Sequence, residues 1–298
     1  MYSAKFINDN GNSFDFSFQN NVIFDIDPLS ELDVDLGTAQ SYDQIGESVE
    51  SQAVMGVTRE IRGVLLGSAN DKKRALLRAL APRTHGQLIF NGRYIAECYI
   101  KKAPAISARN KDAGFSLMLF CPYPYWLHID EVSESLNAFT PAFSFPVEYD
   151  EHVFGTRFNG GFIPVQNSGN APAYFKIEFV ATAAVTDYGI LNVTTGEYIQ
   201  LNDQISVDET VTVYRKDGRI YAEKTAAGTT ESVLNSLDES SGFYTLAVGE
   251  NILKLYADTN EAALGAVITF RNVFTGVYTC PTGRRYNCRL RQQHVPHR

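Results

Sequence analysis

Apolar and polar positions alternate with a period of two along much of the chain. In residues 112–121, for example, Phe115, Leu117 and Leu119 fall on one face of an extended segment. This period is typical of a β-strand. Turn dipeptides that tolerate a positive φ separate such runs and predict hairpins. They are Asn10-Gly11, Asn91-Gly92, Thr195-Gly196 and Asp217-Gly218. The pattern predicts a mainly β, mostly antiparallel fold.

One segment has a helical period instead. Leu76 and Leu77 are adjacent, and Leu80 follows them by four and three residues. This spacing places all three on one stripe of a helix. Pro82 cannot continue the helix. The spacing therefore predicts a single α-helix at about residues 69–81 within the otherwise β-rich first half.

The alternation fades in the middle of the chain, where charged residues mix with Pro and Gly. Beyond that region, a second series of short strands has the spacing of a β-sandwich. A length of 298 residues is ample for two domains. We predict an N-terminal β domain at 1–130, an inter-domain connection at 131–160, a C-terminal β-sandwich at 161–277 and a basic tail at 278–298.

The charge distribution excludes some functions. The net charge is −8, and the last 21 residues contain five arginines and no acid, so the remaining body is still more acidic. An acidic body argues against gripping nucleic acid or docking on an anionic membrane. Disorder is the simpler interpretation of the tail.

The N-terminus has no signal-like apolar region, and no apolar run approaches a membrane span. These features predict folding in a reducing cytoplasm.

Candidate chemistry is sparse, and we predict no catalytic, cofactor or metal site. The acid-rich segment 25–35 is not a calcium loop, because Leu29 and Ser30 replace the required Asp or Asn and Gly. Its period of two instead indicates a strand with one apolar face, including Ile26, Val34 and Leu36, and one acidic face. The acidic face contains Asp25, Asp27, Asp33 and Asp35.

The cysteines suggest structural rather than chemical roles. Cys98 and Cys121 fall in strand-like segments, where a cysteine usually behaves as a small buried hydrophobe. The tail residues Cys280, Cys288, His294 and His297 are suitable zinc ligands, but they lack a closely spaced pair of cysteines. A loosely ordered extension is favoured over a zinc site.

The order of motifs resembles that of siphophage-type distal tail proteins over about residues 1–277. The segments are GVTREIRGVLLG, GQLIFNGRYIAECYIKKAP, FSLMLFCPYPYW, VQNSGNAPAYFKIEF and SGFYTLAVGENILKL. The resemblance implies a ring-forming, tail-tube-like N-terminal domain and a galectin-like or carbohydrate-module-like sandwich. It also implies a non-enzymatic virion protein, made in the host cytoplasm, at the distal end of a phage tail or a phage-tail-like bacteriocin.

This family forms a six-fold ring that joins the tail tube protein to the tail-associated hub or tail-tip protein. Receptor-binding or baseplate proteins are further partners, and DNA passes through the channel without being bound. The polar segment 37–56 is then expected to be a β-hairpin arm that contacts another subunit. Its candidate interface residues are Gln40, Tyr42, Asp43, Glu47 and Glu50.

Two further sets of residues follow from the same resemblance. Six copies of the acids Asp25, Asp27, Asp33 and Asp35 would line the channel and repel DNA phosphates. The segment FCPYPYW ends a strand, because two prolines cannot donate to a sheet. Its residues Pro122, Tyr125 and Trp126 are the candidate seam between the domains.

Two other classes of function remain as alternatives. The sandwich could be a carbohydrate-binding module that attaches the tail to a cell surface, although the chain has no tryptophan beyond residue 160. Exposed tyrosines would then be needed to bind the sugar. An enzyme or a hydrolase accessory domain would instead require a pocket with converging ionisable groups.

Overall fold

The computed structural model describes most of the chain, which divides into two compact units. The described residues are 2–67, 70–109, 111–137, 161–216 and 218–277. Unit 1 takes its described residues from Met1–Gly92, Glu97–Tyr123 and Gly276–Arg298, and unit 2 takes them from Arg93–Ala96 and Pro124–Thr275. Three predicted features lie outside the described residues. They are the basic tail, most of the inter-domain connection and the candidate zinc ligands of the tail.

Unit 1 contains an antiparallel sheet, one helix and a separate two-stranded hairpin. Its strands are β1 (Ala4–Asn8), β2 (Ser13–Phe16), β3 (Val22–Asp27), β4 (Val34–Ala39), β5 (Ser48–Val54), β6 (Val57–Leu65), β7 (His85–Phe90), β8 (Tyr94–Arg109) and β9 (Asp112–Cys121). The sheet order is β2-β1-β7-β8-β9-β6-β3, while β4 pairs with β5. The first residues of β8 belong to unit 2.

The core of unit 1 lies between this sheet and the helix α1 (Asn70–Ala79). In β9 the side chains alternate between buried and half-buried, as the period of two predicts, and Leu117 and Leu119 are fully buried. Leu76 and Leu80 are fully buried as well, but Leu77 is 48% exposed. The apolar stripe of α1 is therefore narrower than predicted, and residue 69 lies outside the described residues.

The predicted hairpin turns connect neighbouring antiparallel strands. Asn91 and Gly92 both have a positive φ between β7 and β8, and Gly11 does so between β1 and β2. Asn91 also ties the turn to the first strand, because its side-chain oxygen accepts a hydrogen bond from the backbone N–H of Ser3 at 2.9 Å. The turn dipeptides thus fix these local connections through backbone conformation.

Unit 2 is a sandwich of two antiparallel sheets with a short additional ladder. Its strands are β10 (Trp126–His128), β11 (Val132–Asn137), β12 (Phe162–Asn167), β13 (Phe175–Ala181), β14 (Val185–Asn192), β15 (Tyr198–Ile205), β16 (Glu209–Lys216), β17 (Arg219–Ala226), β18 (Thr229–Ser232), β19 (Gly249–Thr259), β20 (Leu264–Phe270) and β21 (Val273–Phe274). The sheet orders are β11-β20-β13-β16-β17-β18 and β12-β19-β14-β15. The mainly β fold predicted from the sequence is confirmed.

The two sheets of unit 2 share an apolar core. Phe179 on β13 and Tyr188 on β14 meet edge to face with their ring centroids 5.3 Å apart, and both side chains are fully buried. This contact joins one sheet to the other. The alternating burial along β13 and β20 is what a strand with one solvent face and one core face requires.

The structure corrects the predicted connection at residues 131–160. Within it, β11 pairs with β20, and Leu136 is 1% exposed. The sequence VSESLN places few apolar residues in this strand, so its alternation is weak. It is an edge strand, which needs fewer apolar residues because only its inner face meets the core.

Candidate assembly surfaces

The hairpin formed by β4 and β5 is the most exposed secondary structure of unit 1. We call residues 34–54 the arm. Val34 pairs with Val54 and Thr38 with Val49 across the two strands, and among the described residues β4 and β5 form a sheet of two strands. All seven residues of β5 are exposed. A two-stranded hairpin without a core of its own is marginally stable in water.

The arm also exposes apolar side chains. Val34, Leu36 and Val49 are 50%, 51% and 52% exposed, and at the tip Tyr42 and Ile45 extend fully into solvent. The prediction that Ile26, Val34 and Leu36 share the apolar face of one strand is wrong, because Ile26 lies on β3 and the other two lie on β4. They lie on the arm because the chain leaves the unit 1 sheet after Asp27.

The turn at the tip of the arm is ordered by glutamine side chains. Gln44 accepts a hydrogen bond from the backbone N–H of Ser41 at 3.0 Å and donates one to the Ser48 hydroxyl at 2.9 Å. Gln40 donates to the carbonyl of Gln44 at 3.1 Å. These local bonds hold the turn in shape while Tyr42 and Ile45 remain exposed.

The structure places the five predicted interface residues on this arm. Gln40, Tyr42, Asp43 and Glu47 lie in the turn, and Glu50 lies on β5. All five are exposed. Their role in an interface stays a prediction.

The four predicted channel acids do not form one face. Asp25 and Asp27 lie on β3 in the unit 1 sheet, whereas Asp33 directly precedes the arm and Asp35 lies on its first strand. A cis peptide bond between Asp27 and Pro28 follows the end of β3. All four carboxylates are exposed, but they do not lie on one strand. The prediction of one continuous acidic strand is therefore wrong.

The acids on β3 have a cationic neighbour. Arg62 on β6 is opposite Asp25 in the strand register and forms an ion pair with Glu60 on its own strand. The Asp25 carboxylate also accepts a hydrogen bond from the Tyr2 hydroxyl at 2.9 Å. Burial, and then this bond, raise the pKa of Tyr2 to about 12. Arg62 therefore offsets part of the negative charge on this face.

The same face contains an open cleft of about 640 Å³. Its lining includes Asp25 and Arg62, together with Ile23, Val64 and Phe115. Ile23 is 53% exposed. The cleft is shallow and mixes charged with apolar groups, which suits contact with another protein surface better than enclosure of a small molecule.

The predicted seam residues differ in their surroundings. Trp126 is fully buried and pairs with Phe274 in the register of β10 and β21. Tyr125 is half-buried, and Pro122 is exposed. Trp126 belongs to unit 2 and Pro122 to unit 1. The seam role of these residues stays a prediction.

A feature that the sequence did not reveal lies in the core of unit 1. The sulfurs of Cys98 and Cys121 are 2.9 Å apart, and both side chains are fully buried. Arg59 of β6 is also buried, at 1% exposure. Each cysteine is a buried strand residue, as predicted, but the separation of 23 positions in the sequence hides the pairing. Knowing that β8 and β9 are neighbours would have revealed it.

The histidines of the described part of the chain pair individually with carboxylates. No cluster of three His, Cys, Asp or Glu side chains with metal-binding geometry occurs among those residues. His85 pairs with Asp9 at 3.0 Å, and His128 lies 3.6 Å from Asp130. These are isolated pairs. No helix among the described residues has the length and apolarity that crossing a membrane requires.

The tyrosines of unit 2 do not form a sugar-binding platform. Of the seven in the sandwich, six are buried or half-buried, and Tyr174 is the exposed one. Tyr214 and Tyr221 stack on each other across β16 and β17 with their centroids 5.2 Å apart. A platform needs several exposed aromatic faces, so carbohydrate binding is not favoured.

Together these observations define a class of protein: a mainly β, two-unit scaffold with an unpartnered arm. A solved structure has the same fold, the SPP1 Dit (gp 19.1) protein, described as a paradigm of the hub adsorption apparatus in phages that infect Gram-positive bacteria. The TM-score is 0.63 at 12% identity, covering 91% of this chain and 99% of that one. At this identity the likeness establishes the fold.

Two structures of the phage p2 baseplate in its activated conformation also match at lower similarity. The forms with calcium and with strontium give TM-scores of 0.45 and 0.44, each at 10% identity over 90% of this chain and 98% of the other. These values are too low to support an argument. A search of curated proteins finds no match.

A family model also matches part of the sequence. Residues 168–274 match the model of the siphovirus-type tail component, C-terminal domain. This part of the chain is therefore similar to that domain, and the predicted resemblance is confirmed. The matched range begins directly after β12, runs from β13 to β21 and covers most of the sandwich of unit 2.

Proposed function

We propose that this protein is a structural component of a phage tail, the distal hub, whose copies close into a six-fold ring. The ring joins the tail tube protein to a tail-associated hub or tail-tip protein and leaves a channel for DNA. The family match and the shared fold support a tail component. The protein is made in the host cytoplasm and ends in the virion at the distal end of the tail.

The arm is the observation that supports assembly. An element with seven exposed strand residues and a fully exposed Tyr42 and Ile45 gains stability when another surface covers it. We propose that the covering surface belongs to the next copy of this chain. Contact between the arm and a different surface of that copy is heterologous, and heterologous contacts generate rings when the rotation closes.

The channel assignment of the acids follows from the same ring. Asp25 and Asp27 on β3 are exposed, and six copies would present a collar of negative charge. DNA phosphates gain no counterion release from such a surface and pass without binding. Asp33 and Asp35 lie at the base of the arm, so they serve the subunit contact in this proposal. Receptor-binding or baseplate proteins are further proposed partners.

The test replaces the two fully exposed apolar side chains at the arm tip. Tyr42→Ser combined with Ile45→Ser should leave a folded monomer and abolish rings, because both side chains already lie in solvent in the isolated chain. Molar mass from light scattering and negative-stain images provide the measurement. Deletion of residues 40–53 should have the same effect.

Val248→Ser is the matched control. Val248 is 53% exposed in unit 2, so this change removes an exposed apolar side chain away from the arm. It should leave rings intact. Rings that persist in the tip variant, or that are lost equally in the control, would contradict the role of the arm.

A further inference from the structure

Cys98 and Cys121 are placed for a covalent bond across two neighbouring strands. Tyr99 on β8 pairs with Phe120 on β9, so Cys98 and Cys121 form the next cross-strand pair. Directly opposite residues of an antiparallel pair have Cβ atoms about 4.5–5.5 Å apart and point to the same face. A disulfide spans a slightly shorter Cβ separation. The 2.9 Å between the sulfurs shows that the side chains already converge.

The surroundings make the two thiols chemically different. The hydrogen bond from Cys98, aided by the charge of Arg59 and opposed by burial, lowers the pKa of Cys121 to about 7. Burial raises the pKa of Cys98 well above its ordinary value. Arg59 supplies a cation within the core, and a buried cation favours an anion beside it. Cys121 is therefore the thiol that ionises first, and thiolates are the reactive form.

We propose that Cys98 and Cys121 are an oxidisable pair that closes to an intramolecular disulfide when a small hydroperoxide reaches it. The Cys121 thiolate attacks one peroxide oxygen, the O–O bond breaks, and hydroxide leaves to give a sulfenic acid on Cys121. The sulfur of Cys98 then attacks that of Cys121, and the S–O bond breaks. The proton of Cys98 leaves with the hydroxide as water. Two thiols and one hydrogen peroxide thus give one disulfide and two waters.

The strand ladder next to the pair provides a route for so small an oxidant. The β8–β9 register shifts between Ile100 and Lys102 and again between Lys102 and Ala105. On the other side, Pro122 follows β9 directly and cannot continue its hydrogen bonding. Ladder ends and irregularities open locally at a lower free-energy cost than the whole unit. Hydrogen peroxide is small enough to use such openings.

The bond would tie together the two strands through which the chain enters and leaves unit 1. Cys98 lies in β8 shortly after Ala96, the last residue of that segment in unit 2, and Cys121 lies shortly before Pro124, where unit 2 resumes. The closed pair would therefore resist separation of β8 from β9. This inference does not depend on the proposed ring, because the geometry belongs to the single chain.

The experiment uses the full chain with Cys280→Ser and Cys288→Ser, so that Cys98 and Cys121 are the remaining thiols. The protein is treated with hydrogen peroxide, unfolded, alkylated with N-ethylmaleimide and analysed by mass spectrometry. We expect the two thiols to disappear together, a peptide cross-link between Cys98 and Cys121, and recovery of both thiols with dithiothreitol. Tm should rise by roughly 6–10 °C in the oxidised form.

Two comparisons separate the pair from general oxidation. Cys98→Ala in the same background leaves Cys121 without its partner, so a dimedone adduct should replace the cross-link. The rate of closure in the parent should increase with pH, because the Cys121 thiol must ionise before it reacts. If the folded protein reacts slowly, treatment in moderate urea gives hydrogen peroxide access to the two thiols. Thiols that survive both conditions, or Cys121 oxidised without the cross-link, would overturn the proposal.

Discussion

Two antiparallel hairpins of this protein have similar local pairing and opposite surroundings. In the β16–β17 hairpin of unit 2, Val211 and Val213 are fully buried and the neighbouring strand β13 continues the sheet. In the β4–β5 arm of unit 1, the described residues form a sheet of only two strands and Val49 is 52% exposed. One hairpin is therefore stabilised by its own core. The other has antiparallel backbone pairing without such a core, so regular local pairing alone does not determine whether a hairpin is buried.

The largest effect should come from introducing a charge into each hairpin. Val213→Asp buries a carboxylate between Ile177 and Ala222, its neighbours in the strand registers, and should destabilise unit 2 by about 4 kcal/mol or more. Val49→Asp in the arm should change the free energy of unfolding by less than about 0.5 kcal/mol, since the side chain is exposed. Urea unfolding followed by the fluorescence of the buried Trp126 measures unit 2, and circular dichroism covers the arm variant. Equal losses of stability in the two variants would contradict the proposed difference between the hairpins.

The second-largest effect should come from replacing two glycines at which an added Cβ would meet an equally close neighbour. A Cβ at Gly189 in β14 would lie 2.2 Å from the backbone carbonyl oxygen of Ile199, which cannot move without disturbing the sheet. A Cβ at Gly37 in the arm would also meet an atom at 2.2 Å, but that atom is the hydroxyl of Ser51, which can rotate away. Gly189→Ala should lower the free energy of unfolding by about 2 kcal/mol, and Gly37→Ala should lower it by about 0.5 kcal/mol or less. Thermal unfolding of both variants tests whether the sandwich is the more rigid region.

Alkaline pH should weaken the sandwich through Tyr256. Burial, followed by the charges of Tyr198, Asp238 and Asp258, raises the pKa of Tyr256 from 10 to about 12. A folded-state pKa above the unfolded value contributes stability below pH 10, and that contribution is lost as the pH rises toward 12. Because the residue is half-buried, we expect a loss of about 1 kcal/mol. Tyr256→Phe should lose less stability between pH 9 and pH 12 in urea titrations than the parent does, and identical pH curves would rule the effect out.

The smallest effect concerns a partly buried group of charges in unit 2. The Lys224 ammonium on β17 lies 3.3 Å from Glu209 and 3.5 Å from Asp203, and it is more buried than either carboxylate. Lys224→Met keeps the stem and should cost about 0.5 kcal/mol, less at high salt. Glu50→Gln in the arm should leave the stability of the isolated chain unchanged. A Lys224→Met loss that is insensitive to sodium chloride would show that packing of the side chain, rather than its charge, contributes.

Local patterns predicted the local structure well. The dipeptide Asn91-Gly92 makes its turn because both residues accept a positive φ, and the alternation of Phe115, Leu117 and Leu119 sets the buried face of β9. The polar segment 37–56 was expected to be a hairpin arm, and the structure contains that hairpin. In each case the information lies within about twenty residues of chain.

Predictions failed where a distant neighbour decides the outcome. Val34 and Leu36 alternate with acids just as buried residues would, yet no strand packs over them and they are exposed. The strand β11 carries little apolar signal, yet β20 pairs with it. The acids of segment 25–35 do not lie on one strand, because the chain leaves the unit 1 sheet after Asp27. Alternation identifies a face but does not identify what covers it.

The sequence by itself determined the β-rich class, the hairpin turns, the helix and the resemblance to the tail components, because period, turn chemistry and motif order are properties of short stretches. The tertiary structure alone decided which strands are neighbours. That choice brings Cys98 against Cys121 beside Arg59, and within the described residues it leaves the arm as a sheet of two strands. The physical reason is that strand pairing joins residues far apart in the chain, and the side-chain pattern of one strand leaves its partner unspecified.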